Sequence, residues 1–220
     1  MNKIDLEECT IPKNGYNKIN VNGHEILYNE SKNKDKRHVL FIHGLGAASF
    51  GWRDIPDALS AQFHTIALDL IGFGGSDKPQ DADYTIKGFS KFIMDFLGAI
   101  GLEKQEITAI VGHSLGGYIA LQVAIENKDL IQKLVLIDSS GKLNGPTPLL
   151  NQYYDAAMSP SGPLKYQNLK DVFEKMYHLP SFLHPLVIAS FMVQLKSHSQ
   201  KMLSNPHLMI ALEKDLIEKI

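Results

Sequence analysis

Ser114 sits in Gly112-His113-Ser114-Leu115-Gly116, a G-x-S-x-G spacing. It follows the apolar run Ile107-Thr108-Ala109-Ile110-Val111 and precedes a helical pattern of Leu115, Ile119 and Val123, with Ala120 and Ala124 beside them. Strand, sharp turn and helix in that order lift a serine hydroxyl above a sheet edge. The helix behind it offers unpaired N–H groups to a developing negative charge. Such a serine can attack a carbonyl once a base takes its proton. A serine that merely starts a helix is the plainer alternative. Against it stand Gly112 and Gly116, which flank a turn too tight for side chains and, lacking Cβ, permit its strained backbone.

A second stretch bears on the same chemistry. His43-Gly44-Leu45-Gly46 follows an apolar run that ends at Ile42. Glycines there let the backbone turn an N–H toward a substrate oxygen. The Leu45 and Leu115 N–H groups are the candidate pair of oxyanion donors, each worth roughly 3 kcal/mol in a transition state. An ordinary strand-end turn is the competing account. His43 is expected to brace this turn rather than serve as general base, because its ring belongs to the loop that must supply the N–H. Asp138 ends the strand after the serine's helix. It could orient a histidine, although a strand-end Asp more commonly bonds its own loop. Ile71-Gly72-Phe73-Gly74-Gly75-Ser76 is not a phosphate loop. G-x-G-x-x-G would need glycine where Asp77 stands, and no Walker lysine is present. No cofactor and no metal is expected.

The elements that must position these residues can be read from periodicity. Lys18 to Val21 and Glu25 to Tyr28 read as strands joined by Asn22-Gly23, a type I′ hairpin signal. His38 to Ile42 is a buried strand, Trp52 to Ser60 a short helix, and His64 to Leu70 another strand. Thr85 to Ile100 is an amphipathic helix with Phe89, Phe92, Ile93, Phe96, Leu97 and Ile100 on one face. Thr85 is placed to cap its start and Gly101 to stop it. Ile107 to Val111, the helix Ser114 to Asn127, and the strand Lys133 to Asp138 follow. From Phe41 onward strands alternate with helices, which implies an α/β fold with a mostly parallel, twisted sheet flanked by helices. Gly141 to Pro148 reads as a linker. Beyond it only helical signals occur, the last with Met209, Leu212, Leu216, Ile217 and Ile220 on one face. The expected organisation is a sheet domain over 1–140 and a helical region over 141–220.

Bulk properties bound the class. The chain has 220 residues, 44% of them apolar, and a net charge of −2, which implies no polyanion partner. Its one basic cluster, Lys32-Asn33-Lys34-Asp35-Lys36-Arg37, reads as a solvated loop rather than a nucleic-acid patch. Cys9 is the single cysteine, so no disulfide framework forms within the chain, which fits a reducing cytoplasm. Met1 to Lys13 has no signal-peptide core. Pro185 to Leu195 is too short to span a bilayer, so no stable membrane insertion is expected. Oligomeric state is left open.

Three passages together resemble the α/β-hydrolase superfamily, particularly its lid-bearing members. They are Phe41-Ile42-His43-Gly44-Leu45-Gly46, Asp69-Leu70-Ile71-Gly72-Phe73-Gly74-Gly75-Ser76-Asp77-Lys78-Pro79, and Gly112-His113-Ser114-Leu115-Gly116-Gly117, with Leu134-Val135-Leu136-Ile137-Asp138 after them. The resemblance covers Ile19 to Ser140. It implies that Ser114 is the nucleophile, that Leu45 and Leu115 donate to the oxyanion, and that His43, Gly44, Gly112, His113 and Gly116 support the elbow and loop. It also implies a helical lid after Ser140. A serine rather than an aspartate at position 114 argues for acyl-transfer chemistry on a small-molecule substrate. The lid's Leu149, Leu150, Phe173, Met176, Phe182, Leu183, Phe191 and Met192 suggest an apolar acyl or aromatic group, although such residues mostly pack a lid onto its core. Cleavage of a C–C bond and a non-catalytic binding module of the same fold are the other readings.

In this superfamily the triad runs Ser, then Asp or Glu, then His. After Ser114 the histidines are His178, His184, His198 and His207, all in the lid region and all expected to be polar lid residues. The segment Glu213 to Ile220 resembles a lead into a further strand. The expectation is a C-terminally truncated sequence that ends before the strands bearing the acid and the base, with an exposed apolar sheet edge and impaired catalysis.

Overall fold

A computed structural model describes residues 16–52, 54–140, 148–158 and 163–176. Six strands form one sheet in the order β1-β2-β4-β3-β5-β6. These are β1 (Asn17–Val21), β2 (His24–Glu30), β3 (His38–Ile42), β4 (His64–Leu68), β5 (Ile107–His113) and β6 (Leu134–Ile137). β1 pairs antiparallel with β2, and β2 with β4; from β4 through β3 and β5 to β6 every pairing is parallel. The hairpin turn takes the conformation its residues favour, with Asn22 at φ 53° and Gly23 at φ 91°.

The central strands are buried on both faces, as an unbroken apolar run implies. Leu40 and Ile42 of β3 join Ile66 and Leu68 of β4 in the larger core, where α2 (Ile86–Ala99) and α3 (Leu115–Glu126) cover the sheet. Val39, Phe41, Ala67 and Val111 face the other way, onto Trp52. The Thr85 hydroxyl accepts from the Gly88 N–H at 3.0 Å and so caps α2, and Gly101 stands just past its end at φ 79°. Tyr153 and Ala156 of α4 (Pro148–Met158) and Leu169 and Val172 of α5 (Pro163–Met176) are buried with the larger core.

Several boundaries differ from the sequence expectation, most of them by one or two residues. The helix expected over Trp52 to Ser60 divides into a 3-10 turn at Ser49–Trp52 and a separate α1 at Ile55–Leu59. Pro56 explains the division: it stands in the first turn of α1, where its missing N–H costs nothing, and not inside a longer helix. β4 stops at Leu68 rather than Leu70, and β5 runs on to His113. The basic cluster lies on local partners. Lys34 pairs with Glu30 at 2.7 Å, Lys36 donates to the Ala61 carbonyl, and Arg37 stacks on Phe63 at 5.1 Å. The helix expected at Met209 to Ile220 lies outside the described residues.

Candidate active site

β5 delivers Ser114 and α3 leaves from it. Ser114 has φ 52° and ψ −119°, a conformation that a residue with a side chain rarely adopts. Its backbone is fully occupied. The Ser114 N–H donates to the Ile137 carbonyl at 3.0 Å, and its own carbonyl accepts from the N–H groups of Gly117 (3.0 Å), Tyr118 (3.2 Å) and Ser140 (3.1 Å). Such a conformation costs of order 1–3 kcal/mol and persists where surrounding bonds over-determine it.

The flanking glycines leave room in a turn too tight for side chains, as their spacing suggests, but the strained backbone is not their own. The positive φ falls on Ser114 itself, and neither Gly112 nor Gly116 shares it. What the glycines supply is room. A Cβ on Gly116 would lie 2.2 Å from the Ile42 carbonyl oxygen, and one on Gly112 would lie 2.3 Å from the Gly116 oxygen. Without side chains, the first turn of α3 closes onto the end of β3.

The same close approach brings the second stretch to the serine. A Cβ on Gly44 would lie 3.1 Å from the Ser114 Cβ and 3.0 Å from the His113 Nδ1. The His43–Gly46 loop therefore borders the serine directly. His43 is buried and wired at both nitrogens: its Nε2 accepts from the Leu70 N–H at 3.0 Å, and its Nδ1 donates to the Gly44 carbonyl at 2.8 Å. Burial pushes this imidazole below its ordinary range, with the Asp69 carboxylate pulling the other way. With neither nitrogen free, His43 braces its loop. The Gly44 carbonyl also accepts from the Ala47 N–H at 3.2 Å. Across a planar trans peptide the Leu45 N–H points away from that carbonyl, and among the described residues no acceptor takes it. Leu115 is the first residue of α3, so its N–H has no acceptor within the helix.

Asp138 follows β6, whose Ile137 pairs in register with His113. It stands at φ 43°, between the two residues whose backbones bond Ser114. The structure thus brings Asp138 to the elbow. Among the described residues no hydrogen bond joins it to a histidine, and His178, His184, His198 and His207 all lie outside them.

Asp69 is the residue whose importance the sequence understates. It follows β4 and is buried, with Oδ1 accepting from the Ser49 N–H and Oδ2 from the Gly75 N–H, both at 2.7 Å. Its backbone carbonyl accepts from the Ser76 hydroxyl at 2.7 Å, and that hydroxyl accepts from the Leu27 N–H at 3.0 Å. One carboxylate thus fixes the loop after β4 to the turn after β3. An aspartate at a strand end before a run of glycines and a serine was the available signal. Lys78 folds back on this loop, donating to the carbonyls of Gly74 (2.8 Å) and Ser76 (2.7 Å). Burial lowers its pKa, opposed by Asp69 and Asp77.

The α/β hydrolase fold family matches residues 37–175, a span that holds the serine elbow, the His43–Gly46 loop and Asp69. The chain is a member of that family. It is 31% identical over 165 residues to Lipase 3 of Moraxella sp., covering 75% of this chain and 50% of the lipase. It is 35% identical over 126 residues to the 2-hydroxy-6-oxo-6-(2'-aminophenyl)hexa-2,4-dienoic acid hydrolase of Metapseudomonas resinovorans, covering 56% of this chain and 42% of that enzyme. The fold superposes on a meta-cleavage product hydrolase from Pseudomonas fluorescens with a TM-score of 0.73 at 22% identity, over 90% of this chain and 73% of that one. The match to Lipase 1 of Psychrobacter immobilis covers 84% of this chain but 54% of the lipase, so the chain spans about half the length of such curated relatives. No helix among the described residues of this α/β hydrolase is long and apolar enough to cross a membrane.

Proposed function

We propose that this α/β hydrolase is a serine hydrolase of carboxylic esters or related acyl bonds, with Ser114 as nucleophile. One observation carries the reading: Ser114 is held in a strained conformation between β5 and α3, directly against a loop with an unclaimed N–H. In the reaction, a histidine takes the Ser114 proton and the hydroxyl oxygen attacks the substrate carbonyl. The tetrahedral oxyanion rests on the Leu45 and Leu115 N–H groups. As the intermediate collapses, the histidine protonates the leaving group, and water then releases the acyl group from Ser114. His43 holds the oxyanion loop and keeps no free nitrogen for this work. The base and its acid partner come, in this reading, from the further length that the relatives have, with Asp138 as a second candidate acid. The region after Ser140 covers the substrate.

A second reading is hydrolysis of a C–C bond, favoured by the 35% identity to the dienoic acid hydrolase. Both readings are tested on the full-length gene product. The expected result is p-nitrophenyl ester hydrolysis and covalent fluorophosphonate labelling, both abolished by Ser114→Ala. Cleavage of a dienoic acid without ester turnover selects the second reading. A folded protein that neither turns over nor labels is a binding module, and both enzymatic readings fall.

A further inference from the structure

At the end of the sheet remote from Ser114 lies a buried polar cluster that the hydrolase chemistry does not use. His38 opens β3 and His64 opens β4, and the two residues are register partners. Both side chains are buried, and their Nδ1 atoms face each other at 2.9 Å. The outer nitrogens are committed as well. The His64 Nε2 lies 3.0 Å from the Glu30 Oε2, and the His38 Nε2 lies 2.7 Å from the Gln105 Oε1. The Gln105 amide has a defined orientation, because its Nε2 donates to the Gly101 carbonyl at 3.2 Å.

Proton bookkeeping follows from those contacts. A carboxylate oxygen and an amide oxygen only accept, so both ring Nε2 atoms must donate. A neutral imidazole protonated on Nε2 has a bare Nδ1. Two bare nitrogens at 2.9 Å would repel, whereas one proton between them makes a hydrogen bond. The arrangement therefore holds one proton more than two neutral rings with an ionised Glu30. The count is the same whether that proton is drawn on a ring or on the Glu30 carboxyl. Among the described residues no group of three His, Cys, Asp or Glu side chains is placed to hold a metal ion instead.

We propose that His38 and His64 form an acid-closed latch, in which one shared proton bridges the two rings and fixes the orientation of Gln105. When the proton leaves, His38 can keep a bond to His64 only by donating from Nδ1, which leaves its Nε2 bare. Gln105 must then turn its amide over and release the Gly101 carbonyl just past the end of α2. Glu30 and, beside it, Tyr28 face the pair from β2; Lys34 faces it from the following loop and pairs with the Glu30 Oε1 at 2.7 Å. Arg37, next to His38, is stacked on Phe63. The closed state is the one that holds the extra proton, so the latch closes on acidification; burial pushes His64 below the ordinary imidazole range, with Glu30 opposing.

The position gives the latch a lever on the rest of the sheet. The β3–β5 register slips by one residue between His38 and Val39. His38 pairs with Ile107, but Val39 pairs with Ala109, and this shifted register runs on to Ile42 beside Gly112. Gln105 lies just before that bulge. A bulge re-aims the strand that carries it, and here that strand ends in the elbow.

The test is histidine side-chain NMR of the selectively 15N-labelled chain between pH 5 and pH 8. His38 and His64 should change protonation at one common midpoint, with a strongly deshielded shared proton below it. Gln105 is exposed, so its variants keep the fold. Gln105→Glu adds a charge that holds the proton and should raise the midpoint by about one pH unit. Gln105→Met removes the acceptor for the His38 Nε2 proton and should lower it. Separate midpoints for the two rings, or Gln105 variants that shift the midpoint in the same direction or not at all, would overturn the latch.

Discussion

Replacing Asp69 tests whether one buried carboxylate holds together the two loops beside Ser114. Its two acceptor bonds are not equivalent. Ser49 is buried, so its N–H has no water to turn to when the carboxylate is removed; Gly75 is exposed, and its N–H can be rehydrated. A hydrogen bond to a charged group is worth about 1.5–3 kcal/mol, and an orphaned buried donor carries the full cost. Asp69→Ala should therefore lose about 3 kcal/mol at Ser49 and about 1 kcal/mol at Gly75, together about 4 kcal/mol. That is a large share of the ~5–15 kcal/mol that holds a typical domain together. Asp69→Asn keeps one acceptor but turns an N–H group against the other donor, and should lose about 2 kcal/mol. Urea unfolding followed by far-UV circular dichroism gives both values. Trp52, the single tryptophan, ends the 3-10 turn that Ser49 begins, so its fluorescence reports that turn's release. An Asp69→Ala variant within about 0.5 kcal/mol of the parent would refute the reasoning, because surface changes alone move stability that little.

Burial lowers the pKa of His43, so the folded chain binds fewer protons there than the unfolded chain. Stability should fall as pH drops below about 6.5, the unfolded imidazole value. Urea midpoints at pH 5 and 7 should show this, and His43→Gln should flatten the slope; an unchanged slope excludes His43 as a source. Gly44→Ala puts a Cβ 3.0 Å from the His113 Nδ1 and 3.1 Å from the Ser114 Cβ, moving the loop by a few tenths of an ångström. In the full-length gene product it should lower kcat for ester hydrolysis by about tenfold, less than the ~10²-fold that a misplacement of about 1 Å can cost; an unimpaired kcat separates this loop from the chemistry. Phe96 is fully buried and meets Tyr28 edge-on at 5.4 Å. Phe96→Ala should cost about 3–5 kcal/mol in urea unfolding, and a loss under about 1 kcal/mol would mean that the site refills.

Much of the scaffold was legible because local and tertiary preferences agree in it. β3 is buried on both faces, so its apolar run needed no partner to be recognised, and Asn22-Gly23 suits the turn it makes. Where they part, local reading failed. Pro56 marks the start of α1, but the apolar residues before it blurred the boundary with the 3-10 turn. The elbow's spacing was readable; the location of its strain was not, because positive φ is imposed on Ser114 by bonds from β6 and α3. Neither the His38–His64 pair nor the reach of Asp69 to Ser49 is encoded in any local window. Both arise when β3 and β4, separated by a turn and a helix, align in parallel register.

That dependence on distant strands reaches the serine itself. The Ser114 N–H is bonded to Ile137, the last residue of β6, and its carbonyl to Ser140 just beyond. Among the described residues β6 pairs with β5 alone, and Val135, Leu136 and Ile137 remain 40–43% exposed. The conformation of Ser114 is thus held from one side by the first turn of α3 and from the other by an edge strand. A strand paired along one edge frays more readily than one paired along both. Fraying of β6 would free the Ser114 N–H and let its φ relax toward ordinary values, because the strain there persists only while its bonds do. Whatever covers the outer edge of β6 therefore also stiffens the elbow, without touching the serine.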